Sequence, residues 1–318
     1  MRPIWKDLLL AMFLGMILPG ILLEGTVMLL DKPGEVPALE ETAPQTVPLS
    51  MKLTAEDGGV VQMDMDDYLV GVVLAEMSAS FEEEALKAQA VAARTYTRKA
   101  WETGGKHGDG SVCTNASCCQ AYLPESAYLS RGGTQEAADK IRRAVDATSG
   151  QVLTYEGQLI EATYFSCSGG STEDAVAVWG TEYPYLQAVE SPGEENAAHY
   201  TDVVTFSQSE FQNALGVTLI GSPGSWFGPV TYTEGGGVAS MKIGETTYSG
   251  TQLRSLLGLR STDFTVSAGA EITITTKGYG HRVGMSQYGA DAMAASGSSY
   301  RQILAHYYPG TELTLLEH

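Results

Sequence analysis

Glu76 closes the segment YLVGVVLAE, in which the eight residues from Tyr68 to Ala75 carry no charge. A carboxylate at the end of so apolar a helix is partly desolvated, and the helix C-terminus adds partial negative charge beside it. Both effects favour the protonated form. A glutamate held neutral near pH 7 suits general-acid work. A solvent-facing Glu in a helix–helix turn explains the residue equally well, and the segment alone leaves both readings open. Glu82, Glu83 and Glu84 are weaker candidates, because the first turn of a helix accounts for them. Gln89 and Arg94 interrupt the small-residue run KAQAVAARTYT. On a closely packed helix each needs a partner, and for Arg94 a structural ion pair or a substrate contact would serve.

His107, Cys113 and Cys119 follow a His-x5-Cys-x5-Cys spacing in a Gly/Asp/Ser/Asn loop, with Cys118 adjacent. Imidazole and thiolates clustered in a loop suit Zn(II); a disulfide from Cys113 to Cys118 or Cys119 is the competing reading. Two glycine-bearing loops, residues 164–180 and 277–294, would let polar groups and backbone amides approach a ligand. Gly278, Gly280 and Gly284 have the wrong spacing for a dinucleotide fingerprint. His281, Ser286, Gln287 and Tyr288 would suit sugar hydroxyls. Cys167 with His281 is possible as a nucleophile pair by residue type only, with no organising Asn or Asp near His281. No serine nucleophile elbow is present.

The elements that must position these residues read as an α+β order, not a regular βαβ series. Residues 58–65 alternate like a strand, Asp67–Ala75 is a short apolar helix, and Phe81 to about Trp101 a long Ala-rich one. Ser80 with Glu83 fits a capping box, and Gly104-Gly105 ends the long helix. Ala85, Ala88 and Ala92 share a small-residue face that lets another element pack close. A helix is expected over 134–147, a hairpin over 151–165, β-structure over 200–275 with a helix near 208–215, and two closing helices over 286–296 and 299–307. The fold expected is one catalytic ectodomain, residues 51–318, of mixed helical and β-rich lobes enclosing a cleft, with residues about 195–270 the β-rich lobe or insertion.

Arg2 and Lys6 precede an apolar run from Leu8 to Leu23 that resumes at Val27–Leu30. That pattern predicts a cytoplasmic N-terminus over 1–6 and a single-pass signal-anchor over 7–30. Residues 31–50 hold four prolines and several acids and read as an extended linker. The domain beyond would lie outside the cytoplasm. The 318 residues hold 38 acidic and 19 basic side chains, a net charge of -19. Such a balance opposes binding of a nucleic-acid backbone, while 43% hydrophobic residues exclude a disordered acidic tail.

The blocks LVGVVLAEM, EALKAQAVAARTYT, SGGSTE with VWG, YPYL and GHRVGMSQYGADAMAASGSSYRQILAHYYPGTEL together resemble the stage II sporulation protein D family, in order, from about residue 60 to the end. The resemblance implies a lytic transglycosylase that cleaves the glycan strands of peptidoglycan during engulfment of the forespore. Glu76 would be the single catalytic acid/base, protonating the oxygen between N-acetylmuramic acid and N-acetylglucosamine. It would then take the proton of the muramic C6 hydroxyl as the 1,6-anhydro ring closes, so that no second carboxylate is required. Arg94, Ser168, Ser286, Gln287 and Tyr288 would contact substrate. His107, Cys113 and Cys119 would bind a structural Zn(II). Implied partners are denuded glycan and other engulfment proteins: stage II sporulation protein P, an amidase/endopeptidase, and the membrane protein stage II sporulation protein M. The place of action would be the membrane facing the space between mother cell and forespore. Non-catalytic amidase enhancers in the same family offer the alternative of binding without cleavage. Two residues depart from the family pattern: Arg282 stands where Gly is common, and Cys167 where a hydroxyl residue is common. The charge of -19 suggests that peptide-free strands are preferred to strands bearing carboxylate-rich stem peptides.

Overall fold

The computed structural model describes residues 50–54 and 58–316. The expected signal-anchor, and the linker as far as residue 49, lie outside the described residues. Among the described residues no helix is long and apolar enough to cross a membrane. The α+β expectation holds: nine helices and fourteen short strands are described, the strands forming several small sheets.

A hairpin of β1 (Ser50–Thr54) and β2 (Val60–Asp64) leads straight into α1 (Met65–Glu76). Asp64 caps α1 by accepting from the backbone N–H groups of Asp66 and Asp67. Every residue of α1 from Tyr68 to Leu74 is buried, as the uncharged run requires. The long helix α2 (Glu83–Thr103) ends at Gly104 in the left-handed conformation, φ 79°. Its start differs from expectation. Glu82 is the N-cap and makes no side-chain cap bond, while the Ser80 hydroxyl pairs with Ser78. The donor is satisfied across the fold instead: Glu82 N–H donates to Asp291 Oδ1 at 2.6 Å.

Short β3 (Val112–Cys113) runs parallel to β1. It is followed by α3 (Glu125–Ser130) and α4 (Gln135–Asp146). The expected hairpin over 151–165 is realised in part. β4 (Gln151–Tyr155) pairs with β5 (Gln158–Leu159), but β6 (Tyr164–Phe165) leaves it for another partner near the C-terminus. α5 (Ala175–Trp179) closes this half.

A β-rich lobe follows, as expected. It contains β7 (Thr201–Phe206), α6 (Gln208–Leu215), β8 (Phe227–Tyr232), β9 (Val238–Ile243), β10 (Thr246–Ser249), α7 (Gly250–Leu257), β11 (Asp263–Ala268) and β12 (Ile272–Lys277). The strands form two antiparallel sheets, in order β10-β9-β8 and β11-β12-β7. Phe211, Trp226, Leu253, Phe264, Ile272 and Ile274 give this lobe a core of its own. α7 is a helix the sequence reading did not expect.

The chain then returns to the first lobe. β13 (Met285–Ser286) pairs in parallel with β6 and passes directly into α8 (Gln287–Ala295). α9 (Tyr300–Tyr307) and β14 (Glu312–Leu315), antiparallel to β4, complete it. Ala85, Ala88 and Ala92 of α2 have no accessible surface. Their small side chains let α4, α8 and α9 close on α2, and one core runs from Met51 to Tyr308.

Candidate active site

A cleft of about 750 Å³ is lined by Glu76 and Tyr96 from the helical lobe and by the loops around residues 116–120 and 162–166. On its other side are Trp179, Arg254 and the segment Tyr279–His281. Glu76 is the only carboxylate that lines it among the described residues. Its Oε1 accepts from Ala121 N–H at 2.9 Å, and its Oε2 faces Gln287 Nε2 at 3.5 Å. Burial pushes its pKa above the ordinary carboxylate value, and the two donors only partly offset this. The sequence argument for a desolvated acid thus reappears as geometry.

The Ala121 contact depends on how closely a loop crosses α1. Leu123 N–H donates to the Gly71 carbonyl at 2.9 Å, and Tyr122 stacks on Tyr68 with ring centroids 5.5 Å apart. A Cβ on Gly71 would lie 2.3 Å from Tyr122 Cε2, so only glycine permits this crossing. Gln120 is locked in the same loop. Its Nε2 donates to Thr97 Oγ1 at 2.9 Å and to Tyr68 Oη at 3.2 Å, and its Oε1 accepts from Tyr164 at 2.8 Å. Burial, then the nearby Glu76 charge, holds the Tyr164 hydroxyl protonated.

The far wall is aromatic. Trp179 and Tyr279 line the cleft while 42% exposed, which suits them to stack against the apolar faces of sugar rings. His281 lies between Phe165 and Trp179, with ring centroids 5.5 and 5.4 Å away. Burial, then the positive charge of Arg254, pushes its pKa down to about 4, so the ring is neutral. Trp179, Tyr279 and Arg254 were not singled out from the sequence, where nothing places them beside Glu76.

Of the expected substrate residues, only Gln287 reaches Glu76. Arg94 is 1% exposed. It pairs with Asp66 at 2.9 Å and donates to the carbonyls of Val145 and Gln151 and the hydroxyl of Thr148. The ion pair joins α1 to the end of α4, and Arg94 is not among the residues that line the cleft. Gln89, on the same helix, is buried with neither amide atom bonded. Ser168 is buried, and its hydroxyl donates to Glu194 at 2.8 Å instead of facing the cleft. Ser286 is the N-cap of α8, accepting from Gly289 N–H. Tyr288 packs edge-on against Phe81, centroids 5.0 Å apart, away from the cleft lining.

The two departures from the family pattern are also internal. The Cys167 thiol lies 3.2 Å from Glu194 Oε2, and burial, then that carboxylate, pushes its pKa up to about 12. It is no nucleophile. Arg282 adopts φ 66°, the left-handed region, which accounts for glycine being common at this position. Its guanidinium is buried against Glu173 at 3.0 Å and donates to the carbonyls of Ser168, Ser171 and Gly235.

His107, Cys113, Cys118 and Cys119 converge at the cleft edge. Their ligand atoms all lie within 4.8 Å of one another. His107 Nε2 is 3.5 Å from Cys119 Sγ and 3.8 Å from Cys118 Sγ, and those sulfurs are 3.9 Å apart. With Zn–S bonds of about 2.3 Å, neighbouring corners of a tetrahedral site lie about 3.8 Å apart. The donor set and spacing fit zinc. All the cysteines are free thiols, and Cys118 is the donor that the three-residue expectation left out.

A family model described as Stage II sporulation protein matches residues 56–155. The chain is 40% identical over 287 residues to Stage II sporulation protein D of Bacillus amyloliquefaciens, covering 88% of this chain and 82% of that one. It is 41% identical over 261 residues to Stage II sporulation protein D of Bacillus subtilis (strain 168), covering 80% and 76%. It is also 31% identical over 306 residues to a protein of that organism named Amidase enhancer, covering 77% of this chain and 40% of the other.

Proposed function

The chain belongs to the stage II sporulation protein D family, and on that premise we propose that it is a lytic transglycosylase of peptidoglycan glycan strands. The observation that carries the reading is Glu76, raised in pKa by burial and the only carboxylate lining the cleft among the described residues. A hydrolase would ordinarily need a second carboxylate to activate water or attack the sugar. A transglycosylase does not, because the sugar's own hydroxyl is the nucleophile.

The hydrogen bonds suggest how one residue serves twice. Ala121 N–H donates to Oε1 at 2.9 Å, closer than the 3.5 Å from Gln287 Nε2 to Oε2, so when Glu76 is protonated Oε2 is the better place for the proton. That proton passes to the oxygen of the muramic–glucosamine bond as the C1–O bond breaks. The carboxylate left behind is stabilised by the donors of Ala121 and Gln287. It then takes the C6 hydroxyl proton as O6 bonds to C1, which regenerates the acid and leaves a 1,6-anhydro end. Trp179 and Tyr279 would hold the sugar rings against this pair of steps.

His107, Cys113, Cys118 and Cys119 would hold Zn(II), which when bound supplies folding energy to their loop and no chemistry to the sugar. Cys119 lies two residues before Ala121, so fixing the loop fixes the donor on Glu76. Residues 7–30 would anchor the chain with this domain outside the cytoplasm, where glycan is found. An amidase acting beforehand would supply the denuded strands.

Incubating the ectodomain with denuded glycan and analysing products by mass spectrometry tests the assignment. Anhydro-muramyl products are expected from the native chain and none from Glu76→Gln. Undiminished yield from Glu76→Gln would remove Glu76 from the mechanism, whereas glycan binding with no product from either chain would favour an amidase enhancer.

A further inference from the structure

Among the described residues, one arginine of the cleft has no carboxylate partner. Arg94, Arg98, Arg142, Arg260 and Arg282 are the other described arginines that are not exposed, and each has a carboxylate within 3.3 Å. Arg254 has none among the described residues. Its Nε donates to the Arg260 carbonyl at 3.2 Å, and the residue lines the cleft close enough to His281 for its charge to lower that ring's pKa. Acidic residues outnumber basic ones 38 to 19 in this chain, so an unpaired, half-buried guanidinium is not for want of carboxylates. Desolvating a cation without a partner costs free energy that an incoming anion would recover. The planar fork of Arg matches a carboxylate in two-point contact. Lys106, the other cation of the cleft, is already committed to the Cys118 carbonyl.

We infer that Arg254 recognises the free lactyl carboxylate that a muramic acid residue carries once its stem peptide has been removed. The inference rests on glycan occupying the cleft, as proposed above, and names the group that selects the strand. A strand bearing its peptide has an amide at that position, so the anion next to the sugar ring appears only after an amidase has acted. Preference for denuded glycan then follows from attraction to a new charge at Arg254, and not from repulsion of the peptide by the net charge of -19.

The test measures binding of denuded glycan and of the same strands with their lactyl carboxylates methyl-esterified, using Glu76→Gln so that neither is consumed. The native strands are expected to bind about tenfold more tightly than the esterified ones, the strength of one charge-assisted contact. In Glu76→Gln combined with Arg254→Gln that ratio falls to about one, while esterified strands bind as before. A ratio that survives Arg254→Gln, or that disappears only in Lys106→Gln, overturns the inference, and so does equal loss of both strands. Product analysis on the chain with Glu76 restored separates the two proposals. Absence of anhydro ends with the Arg254-dependent preference intact would refute the transglycosylase reading alone, and anhydro ends without that preference would refute this one alone.

Discussion

Replacing Arg282 with Gly brings the chain back to the family pattern, yet it should destabilise this protein. The backbone at 282 is left-handed, φ 66°, which costs a non-glycine residue about 1 kcal/mol. Glycine relieves that strain, but its added freedom in the unfolded chain roughly cancels the gain. What remains is the loss of the guanidinium, which leaves Glu173 buried at 1% exposure with its negative charge uncompensated. Breaking a buried pair in this way costs about 3–5 kcal/mol. For a domain of this size that is a fall in Tm of about 10 °C. Adding Glu173→Gln removes the stranded charge while keeping an oxygen to accept from Thr233 and Gly237, which now donate to Glu173 Oε1 at 2.9 and 3.0 Å. The double variant should therefore be more stable than Arg282→Gly alone, and the two sites should show a coupling energy of about 2 kcal/mol or more. Thermal and urea unfolding of both single variants, the double and the parent supply the cycle. An unchanged Tm in Arg282→Gly, or a double variant no better than the single, refutes the reasoning.

Three further outcomes are expected. Gly71→Ala should displace Tyr122, costing about 1–3 kcal/mol of overpacking, and should lower cleavage further by moving Ala121 off Glu76; full activity would contradict the close crossing. Because burial raises the Glu76 pKa in the folded state, the folded chain holds a proton that the unfolded chain releases, and stability falls as pH rises from the unfolded value through the folded one. Glu76→Gln should thus be more stable than the parent at pH 7 and no more stable below about pH 4, as unfolding at the two pH values would report. Removal of metal by a chelator should lower both Tm and cleavage, and Cys118→Ser should reduce the expected single zinc per chain in elemental analysis, whereas full zinc retention would exclude Cys118 as a ligand.

Helices with strong local signals were legible. The helix expected near 208–215 is α6, and both arms of a Ser207/Glu210 capping box are found at its start. The same kind of pattern failed at Ser80 and Glu83, because Asp291, distant in sequence, supplies the acceptor at that helix start. α7 went unseen although Ser249 and Gln252 cap it, since it opens on Gly250 within a Thr- and Gly-rich stretch. That glycine is there for a tertiary reason: a Cβ would sit 1.8 Å from the Val238 carbonyl oxygen. In the site, Glu76 and the His/Cys group could be found because each announces itself within a short segment. Arg94, Ser168 and Ser286 were polar residues in promising motifs whose partners proved to be internal. Arg254 reaches the cleft only because the β-rich lobe folds back on the helical one, and no local pattern places it, or Trp179 at the end of α5, beside Glu76.

The most direct test of the central claim is digestion of denuded glycan in water labelled with heavy oxygen. A single acid that closes the muramic C6 hydroxyl onto C1 admits no water, so the new ends should carry no label and be lighter by one water than hydrolysis products. Labelled reducing ends that depend on Glu76 would show a hydrolase and contradict the one-carboxylate mechanism.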